Sequence, residues 1–453
     1  MILLTHGYFL PEDKKEQATM KPYVPLGILY ISSYLEKHGI PNEVFDSTFS
    51  TFEALTAKIV NQQPSIIGIY TNLMTKLNVI RIMDVVKLHL PSCKIVLGGP
   101  EIRYYHEEYL KAGADIVVFG EGEITMHEIC DHFNQTGDLP TDAKGTALFN
   151  QGSLLVNPER ELLRNLDELP LPARHKIDLN AYLKLWKERH GMSMLSVSTM
   201  RGCPYTCKWC SRAVYGGTYR RRSPAHVVKE LIRLKETYSP NAIWFVDDVF
   251  TISHKWLREF SALMTEKKVD LPYEIITRAD RMNEEVISLL KSSGCFRVWI
   301  GAESGSQSVI DKMDRRVKVE QVREMIALSK NYGIETGTFI MLGYPGEEFE
   351  DIRLTIDHLV LSAPDQYTIT LAYPIKGTPL YSEVSDEIVT EYDFRNNTDR
   401  DILFRRNYSE TYYSYALRWV YNSVNAHRER RVVHKLRDLL KARVARFLME
   451  LNK

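Results

Sequence analysis

No stretch of this sequence approaches about 18 uninterrupted apolar residues, so a membrane-spanning helix is not expected. Charge of one sign is not in surplus either: 58 basic side chains stand against 58 acidic ones. That balance gives no global pull toward nucleic acid or an anionic membrane, and any basic patch must be local. Cysteine is scarce, at six. The opening run from Met1 to Gly7 has neither a basic n-region nor a cleavage site, so it is expected to be a first β-strand rather than a secretory signal. The expectation is a cytoplasmic protein whose thiols stay reduced, which argues against a disulfide framework. Clustered cysteines in that compartment point to metal or redox chemistry. There is no short-period repeat and no low-complexity tract. No G-x-G-x-x-G follows the first apolar run, which argues against a nicotinamide site.

What is present is alternation. The length and the 44% apolar content predict two or three domains with sizeable cores. Short apolar runs at 2–6, 43–46, 66–71, 94–99 and 115–120 read as strands. Helical spacing fills 26–38, 52–61, 77–90, 104–111 and 123–133. Five such β-α units predict a parallel, doubly wound (Rossmann-like) α/β sheet over residues 1–140. Ligands of such sheets sit at the carboxyl ends of the strands. That singles out the run from Thr71 and Asn72 to Thr75, the run Gly98, Gly99, Pro100 and Glu101, and the run Gly120, Glu121, Gly122 and Glu123.

Residues 141–190 break the rhythm and predict a linker, with a hairpin at 146–157 and a proline-bearing connector at 165–172. A second alternating series follows over 191–384. Its strands are expected at 193–199, 242–247, 273–278, 296–303, 335–342 and 366–373, with helices at 224–237, 254–267, 283–293, 319–332 and 348–362. Six repeats predict a partial (β/α)6 barrel of the TIM type, open on one side. Residues 385–453 are expected to form a small, polar, helical C-terminal region.

Between Arg201 and Cys210 lies C-x3-C-x2-C, directly after the first strand of the second series. Three thiolates on one loop, Cys203, Cys207 and Cys210, suit three irons of a cubane cluster and leave the fourth iron open for a small molecule. The alternatives are a zinc site and a purely structural cluster. Zinc would want a fourth nearby Cys or His, and neither His190 nor His226 has finger-like spacing. Cys93, Cys130 and Cys295 read as ordinary core thiols.

The cysteine loop, with Trp209 just before its last cysteine, closely resembles the radical S-adenosylmethionine superfamily. The resemblance implies a four-iron, four-sulfur (4Fe-4S) cluster whose open iron chelates S-adenosylmethionine. It also implies reductive cleavage to a 5′-deoxyadenosyl radical that takes hydrogen from substrate. Besides Trp209, it implies cofactor contacts at later strand ends. These are Asp247 and Asp248 for the amino group, Arg278 for the carboxylate, Glu303 for the ribose, and Met341 and Gly343 in an adenine-binding segment.

The leading domain resembles the cobalamin-binding domain that precedes many such barrels. The residues that carry this are Leu26 in the segment 25–35, Asp46 in 44–48, Gly98 to Glu101, and Gly120, Glu121 and Gly122. With Thr71 and Asn72 they form the implied cobalamin set. The D-x-H-x-x-G pattern that supplies a histidine to cobalt is absent, as it commonly is in radical enzymes of this kind. A flavodoxin-like domain with another ligand, or none, is the alternative.

Three features stand apart. Arg220, Arg221 and Arg222 suit either an anion site or a structural role over the loop and domain interface, and the structural role is preferred. Tyr408, Tyr412, Tyr413 and Tyr415 either wall a substrate pocket or pack. The terminal segment 428–453 has nine Lys/Arg and three Asp/Glu, with Val432, Leu436, Leu440, Val444, Phe447 and Leu451 at helical spacing. The ordinary expectation is a helix packed on the core through that stripe. The other is a helix lying on a membrane or partner.

The resemblances together imply a cobalamin-dependent radical S-adenosylmethionine enzyme, foremost a methyltransferase to an unactivated carbon of a small-molecule substrate. They imply an external electron donor of flavodoxin or ferredoxin type and no nucleic-acid partner. The alternative within the family is a non-methylating reaction such as oxidative cyclisation or ring contraction. The alternative from another class is a non-catalytic cobalamin- or metal-binding regulator. A methylthiotransferase acting on transfer RNA would want further N-terminal cysteines, and only Cys93 and Cys130 are there.

Overall fold

Every residue of the first strand, β1 (Ile2–His6), is buried, which places it inside a sheet rather than at an edge. In the computed structural model, which describes all 453 residues, β1 pairs in parallel with β2 (Asn42–Phe45) on one side and β3 (Ile66–Tyr70) on the other. Beyond β3 come β4 (Lys94–Gly98) and β5 (Ile116–Val118), also parallel. The strand order reverses at the β1/β3 junction, so the crevice outside the carboxyl ends of these strands is the natural ligand position. A short helix α1 (Lys14–Thr19) precedes the covering helices α2 (Leu26–Lys37), α3 (Phe52–Gln62), α4 (Lys76–His89), α5 (Ile102–Lys111) and α6 (Gly122–Thr136). Helix α3 starts where Thr51 accepts a hydrogen bond from the Ala54 N–H, a cap worth about 1 kcal/mol.

The hairpin is where the sequence predicts it, at β6 (Thr146–Asn150) and β7 (Ser153–Val156), but it is not a linker. β6 pairs antiparallel with β5 and extends the first sheet to seven strands. The reason is physical: β5 would otherwise be an open edge, and the fully buried Ala147 closes it opposite Val117. The rest of the supposed linker carries α7 (Leu179–His190), capped by Asp178 and anchored by the Trp186 Nε1–H donating to the Pro22 carbonyl at 2.8 Å.

The second series begins with β8 (Met194–Val197). A small antiparallel pair, β9 (Met200–Arg201) and β10 (Arg220–Arg221), brackets the cysteine loop. Then come α8 (Pro224–Tyr238), β11 (Ala242–Phe245), α9 (His254–Glu266), β12 (Tyr273–Thr277), α10 (Glu284–Ser292) and β13 (Cys295–Glu303). Helices α11 (Gln307–Lys312) and α12 (Val319–Asn331), strand β14 (Glu335–Leu342), α13 (Phe349–Ser362) and β15 (Gln366–Leu371) complete it. The sheet runs β15-β14-β13-β12-β11-β8, with parallel registers from β12 to β15. This is the partial barrel the sequence predicts. Helix α11 is an addition that the sequence periodicity does not reveal.

The chain divides into two compact units. One comprises Met1–Pro204, Ser211–Trp244 and Tyr392–Asp401; the other comprises Tyr205–Cys210, Phe245–Glu391 and Ile402–Lys453. The C-terminal region is therefore not one helical body from residue 385. After the short α14 (Pro379–Val384), the chain sends residues 392–401 into the first unit. There Tyr392 and Phe394 join the core beside α4 and α5, and the buried Lys76 ammonium lies 4.0 Å from the Phe394 ring. Long helix only begins at α15 (Glu410–Arg428) and continues in α16 (Val432–Leu451). Helix α16 packs through Ala442, Ala445 and Met449, not through the apolar stripe, which faces solvent. No helix is long and apolar enough to cross a membrane.

Candidate active site

The cysteine loop leaves β9 through Gly202, whose φ is +85°, and a Cβ there would sit 2.3 Å from the Thr218 carbonyl oxygen. Only glycine lets the loop begin this way. Cys203 is half-buried, Cys207 buried and Cys210 exposed, and none of the three is in a disulfide. Past Tyr205 the loop is pinned by main chain: Lys208 N–H donates to Met313 O at 3.1 Å, and Leu380 N–H donates to Lys208 O at 2.9 Å.

Two buried guanidinium groups converge on one sulfur. Arg278 and Arg315 each donate to Cys207 Sγ at 3.6 Å. The two buried cations are offset by carboxylates, Asp280 beside Arg278 and Glu303 beside Arg315, and both present N–H donors to the one sulfur. Cationic donors also tune an iron–sulfur cluster through hydrogen bonds to its ligand sulfur. Arg278 further donates to Asp280 at 2.8 Å and to the Arg315 carbonyl at 2.6 Å, with Tyr205 stacked 3.8 Å from its guanidinium. Its donors are engaged by the protein. The geometry thus makes Arg278 a brace of the cluster loop. Arg315 has no local sequence signal; its partner lies 108 residues earlier.

Other expected residues fall at neighbouring strand ends of the same unit. Glu303 ends β13 with φ +66°, at a register shift against β14, and its carboxylate lies 3.4 Å from Arg315. Burial pushes the Glu303 carboxyl up, against the opposing pull of Arg315 and Arg278. A non-glycine residue held at positive φ is strained and is a feature of functional positions. Trp209 packs on an apolar cluster that includes Met341, Tyr344 and Met313, so the structure joins the cysteine loop to the end of β14. Gly343 N–H donates to Glu347 Oε2 at 2.6 Å. Glu347 is fully buried, and burial pushes its carboxyl up to about 8. Asp247 is buried, whereas Asp248 is exposed. The protein packed around it and the Asp247 charge push the Asp248 carboxyl up. Tyr412 and Tyr413 are buried packing residues, Tyr413 lying beside Gly343.

In the first unit the expected cobalamin residues occupy one edge, the carboxyl ends of β2 to β5 and the start of α2. Gly99 has φ +119°, and a Cβ there would lie 2.1 Å from the Thr71 carbonyl oxygen, while one on Gly98 would meet nothing within 4 Å. The main chain of β3 and β4 thus closes to leave an open cradle beside Gly98, Pro100 and Asn72, a shape that fits a bulky planar ring. Thr71 is buried and hydrogen-bonded to Tyr109, and Glu101 is buried at the start of α5. Leu26 opens α2 half-buried, and Gly122 opens α6. A small, solvent-open recess lies beside Gly120, lined among others by Arg103, Glu121, Arg160 and Val214.

Two of the expected cobalamin residues serve the protein itself. Asp46 accepts from His6 Nε2 at 3.0 Å and from Tyr182 OH at 2.8 Å. Burial opposes its charge, but the hydrogen bonds from His6 and Thr48 hold its carboxyl low. Glu121 takes Arg201 at 2.8 Å, Arg220 at 2.9 Å and the Leu163 N–H at 2.9 Å. Both are structural knots rather than open ligand groups. The arginine run is structural as well: Arg220 binds Glu121, while Arg222 and Arg174 pair with the buried Glu230. Cys93, Cys130 and Cys295 are buried, and burial pushes their thiols up, to about 11 for Cys93 and about 12 for Cys130.

Comparison with known proteins agrees with this division of labour. Residues 197–359 match the radical SAM superfamily and residues 21–130 match the B12 binding domain. An uncharacterized methyltransferase of Pyrococcus horikoshii is 28% identical over 391 residues, covering 84% of this chain and 83% of the relative. An anaerobic magnesium-protoporphyrin IX monomethyl ester cyclase of Rubrivivax gelatinosus is 24% identical, covering 82% and 68%. The fold is that of a solved cobalamin-dependent S-adenosylmethionine radical enzyme, OxsB, with aqua-cobalamin bound. The TM-score is 0.78 at 16% identity, covering 99% of this chain and 72% of the other. With a B12-binding domain, a radical SAM domain behind it and a three-cysteine loop braced by two arginines, this chain belongs to the cobalamin-dependent radical S-adenosylmethionine enzymes.

Proposed function

We propose that this enzyme transfers a methyl group to an unactivated carbon of a small-molecule substrate. The observation that carries the radical half is the pair of arginines on Cys207 Sγ. The methyl half rests on the likeness to the Pyrococcus methyltransferase. When bound, the cluster supplies one-electron cleavage of S-adenosylmethionine and cobalamin supplies methyl carriage.

The chain's own residues do the holding. Cys203, Cys207 and Cys210 take three irons. Arg278 and Arg315 fix the loop and draw electron density from Cys207. Asp247 and Asp248 offer carboxylate to an ammonium group, and Glu303 offers it to a ribose diol. Trp209 and Met341 pack in one apolar cluster that would exclude water, and Glu347 holds the Gly343 turn, which would meet an adenine. In the first domain Leu26, Thr71, Asn72, Gly98, Gly99, Pro100, Glu101, Gly120 and Gly122 offer main chain and small side chains to cobalamin. An electron donor of flavodoxin or ferredoxin type and a cytoplasmic location complete the reading.

The test is anaerobic reconstitution with iron, sulfide and hydroxocobalamin, then S-adenosylmethionine, reductant and candidate substrates. Methyl transfer yields 5′-deoxyadenosine and S-adenosylhomocysteine together. The likeness to the cyclase supports the second reading, a non-methylating oxidation, which yields 5′-deoxyadenosine alone.

A further inference from the structure

Helix α16 displays its apolar side outward. Val432, Leu436, Leu440, Val444, Phe447 and Leu451 are between 49% and 70% exposed, whereas Asp438, Ala442, Ala445 and Met449 are buried. At about 100° per residue these two sets lie on opposite sides of the helix. The small buried residues seat α16 against α15, and the stripe is left without a partner over its whole length. Such a contiguous patch is large for a soluble surface and marks an interaction site.

The charges beside the stripe identify the occupant. Residues 428–453 carry nine Lys/Arg and three Asp/Glu. Asp438 is paired by Arg437 at 3.0 Å and Glu450 by Arg446 at 2.9 Å. Lys435, Lys441 and Arg443 are exposed and have no acidic partner. Lys435 and Arg446 fall on one shoulder of the stripe, Arg437 and Lys441 on the other. A second copy of the helix would set like charges against each other across a two-fold axis. An anionic lipid surface answers both halves: acyl chains for the stripe and headgroup phosphates for the shoulders. We propose that α16 docks this enzyme peripherally on anionic membranes, lying in the interface plane with the Leu436–Leu440–Phe447 side inward. This inference is independent of the reaction catalysed.

The experiment is co-sedimentation of the full-length holoenzyme with phosphatidylcholine vesicles, with and without about one-third phosphatidylglycerol. Binding is expected to the anionic vesicles and to weaken as salt rises. A Leu440→Ser/Phe447→Ser variant and a Lys441→Glu/Arg443→Glu variant should each lose about tenfold or more in partitioning with an unchanged melting temperature, since all four side chains are exposed. The proposal is overturned if the wild type stays in the supernatant with anionic vesicles, or if both variants bind as it does. It is equally overturned if the wild type is a dimer that both variants dissociate and vesicles do not retain it.

Discussion

The two strand-end regions solve different binding problems with different chemistry. Around the cysteine loop, side chains carry the work: Arg278, Arg315, Asp280 and Glu303 surround a single sulfur and its neighbours within one buried network. Along the edge of the first sheet, charged side chains turn away to tie the protein together, and main chain with glycine forms the surface. A small, highly charged cofactor assembly needs placed charge, and a large ring needs shape. The comparison therefore predicts that charge substitutions matter at the first region and volume substitutions at the second.

The largest effect should come from Cys207→Ala. It is expected to abolish the cluster, read as loss of iron, sulfide and visible absorbance after reconstitution, while bound cobalamin is retained. Loss of both together would break the idea that the two regions hold their cofactors separately. Next is Gly99→Val. Its Cβ meets the Thr71 carbonyl oxygen at 2.1 Å, and the positive φ adds strain of about 1–3 kcal/mol. Cobalamin retention should fall sharply with the cluster intact, as measured by absorbance of the purified protein.

A smaller effect is expected from Arg315→Gln. It removes a cationic donor from Cys207 Sγ, so the reduction potential of the cluster should become more negative in an EPR-monitored titration. An unchanged potential would reduce Arg315 to packing. The smallest test concerns Glu347. Its carboxyl is raised to about 8 in the folded state, so between the ordinary carboxylate range and about 8 the folded protein holds a proton that the unfolded chain has lost. Stability should therefore fall as pH rises through that window and level off above it. Glu347→Gln, which keeps an acceptor for Gly343 N–H, should flatten the decline in melting temperature between mildly acidic and alkaline pH.

What could be read from the sequence follows the range of the interactions. The C-x3-C-x2-C loop and the strand-end glycines are local patterns, so they are legible. Arg315 is not, because only folding brings it to Cys207. The hairpin at 146–156 is legible as a hairpin, but its place in the sheet depends on the free edge of β5. Residues 392–401 have no periodicity to announce that Tyr392 and Phe394 fill the first core. In α16 the spacing reveals an apolar face but not which side packs. The quieter Ala442, Ala445 and Met449 side is the one that does.

The most direct test of the central claim is anaerobic incubation of the reconstituted enzyme with S-adenosylmethionine and reductant, comparing wild type with Cys203→Ala, Cys207→Ala and Cys210→Ala. 5′-Deoxyadenosine is expected from the wild type alone, with no cluster in any variant. A variant that keeps its cluster and still forms 5′-deoxyadenosine would contradict that claim.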